Sequence, residues 1–102
     1  MKIKIYLSGP ISKVEAGNRP AFDAAHAMIE AAGHIAINPH NLPHYHGHTW
    51  EEFMREDIKA MMDADAVLLL PGWLESQGAY LEFKIAQRVG IKASEVLEAL
   101  LE

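Results

Sequence analysis

Five consecutive apolar residues, Ala66 to Leu70, are closed off by Pro71 and Gly72. A run this short and this free of polar residues predicts a strand covered on both faces. The next segment reads as a loop and a helix. Ser76, Gln77 and Gly78 lead into it, and Gly90 is a natural residue to end it. At ~100° per residue, Ala79, Leu81, Phe83, Ile85, Ala86 and Val89 form one broad apolar arc, with Tyr80, Lys84, Gln87 and Arg88 opposite. Glu82 falls on the apolar side. A carboxylate there is costly unless something pairs with it or uses it. Its place near the helix start favours the ionised form. An anionic group beside a loop at a strand's C-terminal end is where α/β proteins put chemistry.

The rest of the chain fits around that unit. Lys2 to Leu7 is predicted as the first strand, with Ile3, Ile5 and Leu7 on one face and Tyr6 on the other. Ser8, Gly9 and Pro10 turn the chain out of the sheet, and Ile11 to Gly17 is a polar loop. Asn18 or Arg19 opens a helix, Asn18 being the better cap and Pro20 suiting the first turn. Phe22, Ala25, Ile29 and Ala32 keep helical spacing, and Gly33 ends it. His34 to Asn38 is a short second strand, so a right-handed parallel crossover is expected. Pro39 to Thr49 is a loop holding His40, His44, His46 and His48. An extended His44-x-His46-x-His48 run would place three imidazoles on one face. The alternative is a polar lid loop. No adjacent carboxylate or cysteine completes a site, and no metal is expected. Tyr45 and Trp50 are candidates to stack on a ligand, Trp50 equally for the core.

Trp50 to Asp63 is the next predicted helix, with Thr49 as its cap. Trp50, Phe53 and Met61 share one side of it, and Asp57 lies on that side, one turn from Phe53 and one from Met61. A second acid thus occurs on an apolar stripe. Two such acids on helices flanking one strand point to a shared site. Asp65 reads as a turn or capping residue. Ile91 to Ala93 allows a short fourth strand. Ser94 is predicted to cap a terminal helix whose Val96, Leu97, Leu100 and Leu101 serve the core or a dimer contact.

Composition bounds the partners. With 102 residues, half of them hydrophobic, one domain over residues 1–102 is expected. A formal charge of −5 argues against a nucleic-acid polymer, though not against a single nucleotide held by backbone amides. The chain has no cysteine, which removes disulfides and thiolate chemistry. Lys alternates with Ile at the N-terminus, unlike a signal peptide or a membrane span. A soluble, cytoplasmic protein is the expectation.

Tyr6, Asp57, Ser76, Gly78 and Glu82 form one constellation if strands one and three lie side by side in a parallel sheet. The amides of Ser76 to Gly78 at a helix start suit an anion, and the Ser76 hydroxyl adds a donor. Glu82 lies roughly 9 Å further along the helix at ~1.5 Å per residue. That spacing suits a ligand with an anionic end and a reactive carbon a few atoms away, such as a sugar phosphate or a nucleoside monophosphate.

At these residues the chain resembles the nucleoside 2-deoxyribosyltransferase-like superfamily, over most of its length. The carriers are Tyr6-x-Ser8-Gly9, the Asn18 to Phe22 helix start, Asn38-Pro39, Asp57, and Ser76-x-Gly78-x-x-x-Glu82. It looks closest to small phage and bacterial members, and next to the deoxynucleoside 5′-monophosphate N-glycosidases. The resemblance implies a Rossmann-like α/β/α fold with a small parallel sheet of four or five strands. It implies cleavage or exchange of an N-glycosidic bond, without a cofactor, in a homodimer or higher homo-oligomer. Glu82 would be the nucleophile on the deoxyribose anomeric carbon, Tyr6 would orient it, and Asp57 would contact the nucleobase or supply its proton. Ser8, Gly9, Pro10, Ser76 and Gly78 would bind substrate, Ser76 and Gly78 at the 5′ group. The chain departs from the glycosidase branch at Pro10, where that branch has polar phosphate-binding residues, and a last strand with its site residues would be absent from so short a C-terminus. Two other readings of the same residues are a nucleotide-binding module in which Glu82 reads a ribose hydroxyl, and a metal-binding or scaffold protein using the histidine loop.

Overall fold

The structure, a computed structural model, describes residues 1–44 and 49–102. Among them, β1 (Lys4–Ser8), β2 (Ile35–Ile37), β3 (Ala66–Leu69) and β4 (Lys92–Ser94) pair in parallel in the order β2-β1-β3-β4. The helices are α1 (Arg19–Ala31), α2 (Trp50–Met61), α3 (Gln77–Arg88) and α4 (Leu97–Leu100). Side-chain alternation along β1 and β3 divides the core in two. Ile5, Leu7, Ala66, Leu68 and Leu70 meet Phe22, Ala25 and Ile29 of α1 and Leu97 and Leu100 of α4. Tyr6, Val67 and Leu69 face the other way, onto Met61 of α2 and Ala86 of α3. This is a three-layer α/β/α arrangement, and β3 is buried along its whole length, as a doubly covered strand requires. No described helix is long and apolar enough to cross a membrane.

The chain leaves β1 toward β2 on one side and leaves β3 toward β4 on the other. Between the carboxyl ends of β1 and β3 the connections therefore diverge and open a crevice. Tyr6 pairs with Val67 and Ser8 with Leu69, so the loops after both strands begin at the same level.

Local chemistry explains most element ends. Thr49 and Glu52 form a reciprocal capping box at α2. Gly33 and Gly90, with φ of 87° and 80°, take the left-handed position after α1 and α3. Asp65 accepts a hydrogen bond from the Lys4 amide at 2.8 Å, tying the entry of β3 to the start of β1.

Several expectations are corrected. Asn18 precedes α1, but at φ 61° its side chain makes no capping bond, because capping needs an extended backbone. Ala32 lies beyond the stripe and is exposed. Leu81 of α3 and Val89 at its C-terminal cap also face outward, since an outer-layer helix is covered along one stripe only. Ser94 ends β4 and accepts from the Val96 amide, so Val96 occupies the cap position of a one-turn α4. Trp50 is not core; it lies at the crevice, 36% exposed.

Candidate functional site

Glu82 stands in the first half of α3 on the side that meets the sheet, and is 4% exposed. Its two oxygens are held separately. The Tyr6 hydroxyl donates to Oε2 at 2.6 Å and the Ser8 hydroxyl donates to Oε1 at 2.7 Å. The period of a strand makes this possible: residues 6 and 8 point to one face, so β1 offers two hydroxyls to one carboxylate. Burial raises the Glu82 pKa to about 7, against the lowering effect of both hydroxyls, and the negative charge of Asp57 adds to the rise. Burial and the neighbouring Glu82 likewise push the Tyr6 phenol well above its usual value, so it remains a donor.

Asp57, on α2, is 6% exposed. Its Oδ1 lies 2.8 Å from Nε2 of His44, and the His44 ring packs on Phe53 with centroids 4.9 Å apart. A carboxylate oxygen next to an imidazole nitrogen requires a proton between them. Burial raises the Asp57 pKa, and the His44 hydrogen bond and charge oppose that rise. The two acids thus share one site and differ in their partners: two hydroxyls for Glu82, one imidazole for Asp57.

Both acids line a cleft of about 1050 Å³ at the carboxyl ends of β1 and β3. The start of α3 forms one wall. Ser76 caps that helix, its Oγ accepting from the Ala79 amide at 3.2 Å, which leaves its hydroxyl hydrogen to donate elsewhere. A Cβ on Gly78 would come within 3.1 Å of Met54 Sδ, so glycine allows α2 and α3 to close together here. Gly9 plays the same part between the two strand ends, where a Cβ would sit 2.8 Å from that of Leu70. Pro10 lines the cleft and packs near Gly72. Trp50 and Phe53 of α2 bring exposed aromatic surface to the opening.

Tyr6, Gly9, Pro10, Asp57, Ser76, Gly78 and Glu82 are therefore brought together on one cleft. Ser8 was expected among the substrate contacts. It is 1% exposed and turned to Glu82, so it is a partner of that carboxylate. The alternation that pairs Tyr6 with Ser8 was available in the sequence. The His44–Asp57 contact was not, because nothing local links a loop histidine to an acid thirteen residues on. Of the three-imidazole reading, His44 is the described member and is engaged with Asp57; His46 and His48, like Tyr45, lie outside the described residues. No group of three metal-ligating side chains occurs among the described residues.

The fold is shared with a solved structure of a 2-deoxyribosyltransferase from the psychrotolerant bacterium Bacillus psychrosaccharolyticus. The TM-score is 0.67 at 20% identity, over 88% of this chain and 69% of that one. No curated protein matches the sequence. A family model described as a domain of unknown function, DUF4406, matches residues 3–94.

Proposed function

Since the chain belongs to the DUF4406 family, whose description assigns no reaction, we propose its function from the site itself: cleavage or transfer of the N-glycosidic bond of a deoxynucleoside 5′-monophosphate through Glu82. The observation that carries this reading is a buried carboxylate gripped by two hydroxyls at a cleft floor, with a second acid beside it. In the reaction, a Glu82 oxygen bonds to the anomeric carbon as the bond from that carbon to the base breaks. The departing base nitrogen takes a proton from Asp57. Water or a second base then attacks the same carbon, gives its proton to Asp57 and releases Glu82. Tyr6 and Ser8 fix the direction of the carboxylate and spread its charge. A deoxyribose has no 2′-hydroxyl to withdraw electrons, so its oxocarbenium-like transition state is more accessible, and an adjacent carboxylate stabilises it.

The start of α3, with Ser76, would hold the 5′-phosphate by amides, hydroxyl and helix dipole. The protein would act in the cytoplasm as a homodimer or higher homo-oligomer. Incubation with every deoxynucleoside 5′-monophosphate and its nucleoside, with free base read by chromatography, tests the reading. Base release from monophosphates in preference to nucleosides is expected, and Ser76→Asp should erase that preference by like-charge repulsion. Tight binding with no base release would make this a nucleotide-binding module instead.

A further inference from the structure

We propose that His40 is a positioning residue: through the carbonyl of Gly17 it latches the loop between β1 and α1 in a left-handed turn, and this presents Lys13 to the anionic end of the substrate. The part given to Lys13 rests on the nucleotide reading above, whereas the latch stands independently of it.

The loop carries unusual backbone strain. Ala16, Gly17 and Asn18 have φ of 54°, 63° and 61° in succession, and Lys13 has φ 67°. Side chains with a Cβ rarely adopt this conformation, and they persist in it only where their surroundings over-determine it. The surroundings here are specific. The Gly17 amide donates to the Val14 carbonyl at 3.0 Å. His40 Nε2 lies 2.8 Å from the Gly17 carbonyl oxygen. A carbonyl only accepts, so Nε2 carries the hydrogen. A Cβ at position 17 would approach the His40 ring to 3.0 Å, so the latch needs glycine for space as well as for φ.

The imidazole itself is anchored from behind. The His40 amide donates to Asn38 Oδ1 at 3.0 Å, its carbonyl accepts from Arg19 at 3.3 Å, and its ring meets Phe22 edge-on at 5.0 Å. Asn38 and Phe22 are buried, and Asn38 donates to Asp23. A rigid corner of the fold thus grips a strained loop.

What the loop offers is a charge. Ile11, Ser12 and Lys13 line the cleft, as do Ser76 to Gly78 at the start of α3. Among the described lining residues Lys13 is the one lysine or arginine, against the acids Asp57, Glu75 and Glu82. A phosphate entering that acidic cleft needs a compensating cation, and the latch holds Lys13 where it supplies one.

Amide hydrogen exchange on the ligand-free protein tests the latch. His40→Phe keeps an aromatic ring beside Phe22 and removes the donor; it should speed exchange at Gly17 about tenfold or more, with the amides of β1 and β3 unchanged. His40→Gln, which returns a donor near the Nε2 position, should restore protection. Gly17→Ala, which crowds the imidazole from the other side, should reproduce the His40→Phe pattern and serves if that variant does not fold. Unchanged exchange at the amide of position 17 in both disruptive variants overturns the latch. Calorimetry in a Glu82→Gln background then compares paired deoxynucleosides and their 5′-monophosphates. Lys13→Gln and His40→Phe should each lose about tenfold in monophosphate affinity and keep nucleoside affinity. Undiminished monophosphate binding in Lys13→Gln removes the role of Lys13. Binding of neither ligand by the Glu82→Gln protein overturns the nucleotide reading, and the role of Lys13 with it, while the exchange result still decides the latch.

Discussion

Under the proposed function, Glu82 trades stability for chemistry. Its pKa is raised to about 7 by burial, from a usual value of 4.5. The folded state therefore holds its proton more tightly than the unfolded chain. The sign follows: this group favours folding below about pH 4.5, and that advantage is lost as pH rises through about 7. The difference is on the order of 3 kcal/mol at most. Glu82→Gln, nearly isosteric and uncharged, should thus melt at a higher temperature than the unmodified protein at pH 8, with little difference at pH 5. Turnover should be abolished in the same variant. Calorimetric melting at the two pH values and base release together check this; a less stable Glu82→Gln protein at pH 8 would contradict the burial argument. As the proposed nucleophile, Glu82 would have to be ionised in the unmodified protein, so kcat/KM should fall on the acid side of about pH 7. Asp57 has the opposite requirement. Its raised pKa keeps more of it protonated, which the proposed delivery of a proton to the leaving base would use. Asp57→Asn should therefore slow substrates with poorly leaving bases most and spare activated ones, at no great cost to KM. Equal losses across a leaving-group series would mean that Asp57 binds the base without protonating it.

At the scale of elements, β1 and α3 do most of the positioning. One strand supplies two hydroxyls at alternate positions, and one helix supplies the carboxylate they hold. The start of α2 is set differently, by Thr49 and Glu52. That capping box matters to the site because α2 carries Asp57 and the aromatic wall. Thr49→Ala should cost about 1 kcal/mol. For a chain of this size that is a fall of roughly 4–8 °C in melting temperature. The position is exposed, so no packing loss should be added. Thermal melting of the variant measures it, and a change near zero would show that packing alone holds the first turn of α2.

At the scale of the whole molecule, the sheet is small and the surface carries apolar groups that a lone subunit leaves wet. Leu74, Tyr80, Leu81 and Val89 on and beside α3, with Val96 near α4, are between 37% and 57% exposed. We expect these to be covered in a homodimer or higher oligomer. Light scattering at high micromolar concentration should give at least twice the subunit mass of 11.3 kDa. A monodisperse monomer would remove the oligomer from the proposal.

Local periodicity and composition were enough to read the strand–helix order, the doubly covered β3, the capping residue Thr49 and the two acids on apolar stripes. These follow from spacing along the chain, which is what a sequence states directly. The resemblance added the three-layer fold, the reaction and the roles given to the candidate site residues. Tertiary structure alone decided how much of each helix face is covered, and so left Leu81 and Val89 outside. It turned Ser8 toward Glu82 and gave Asp57 its imidazole from a loop. It also bent Asn18 into a left-handed turn that no capping rule anticipates. Each of these depends on which groups meet across the fold, and on the free energy of burying them together, a property of three-dimensional packing rather than of neighbouring residues.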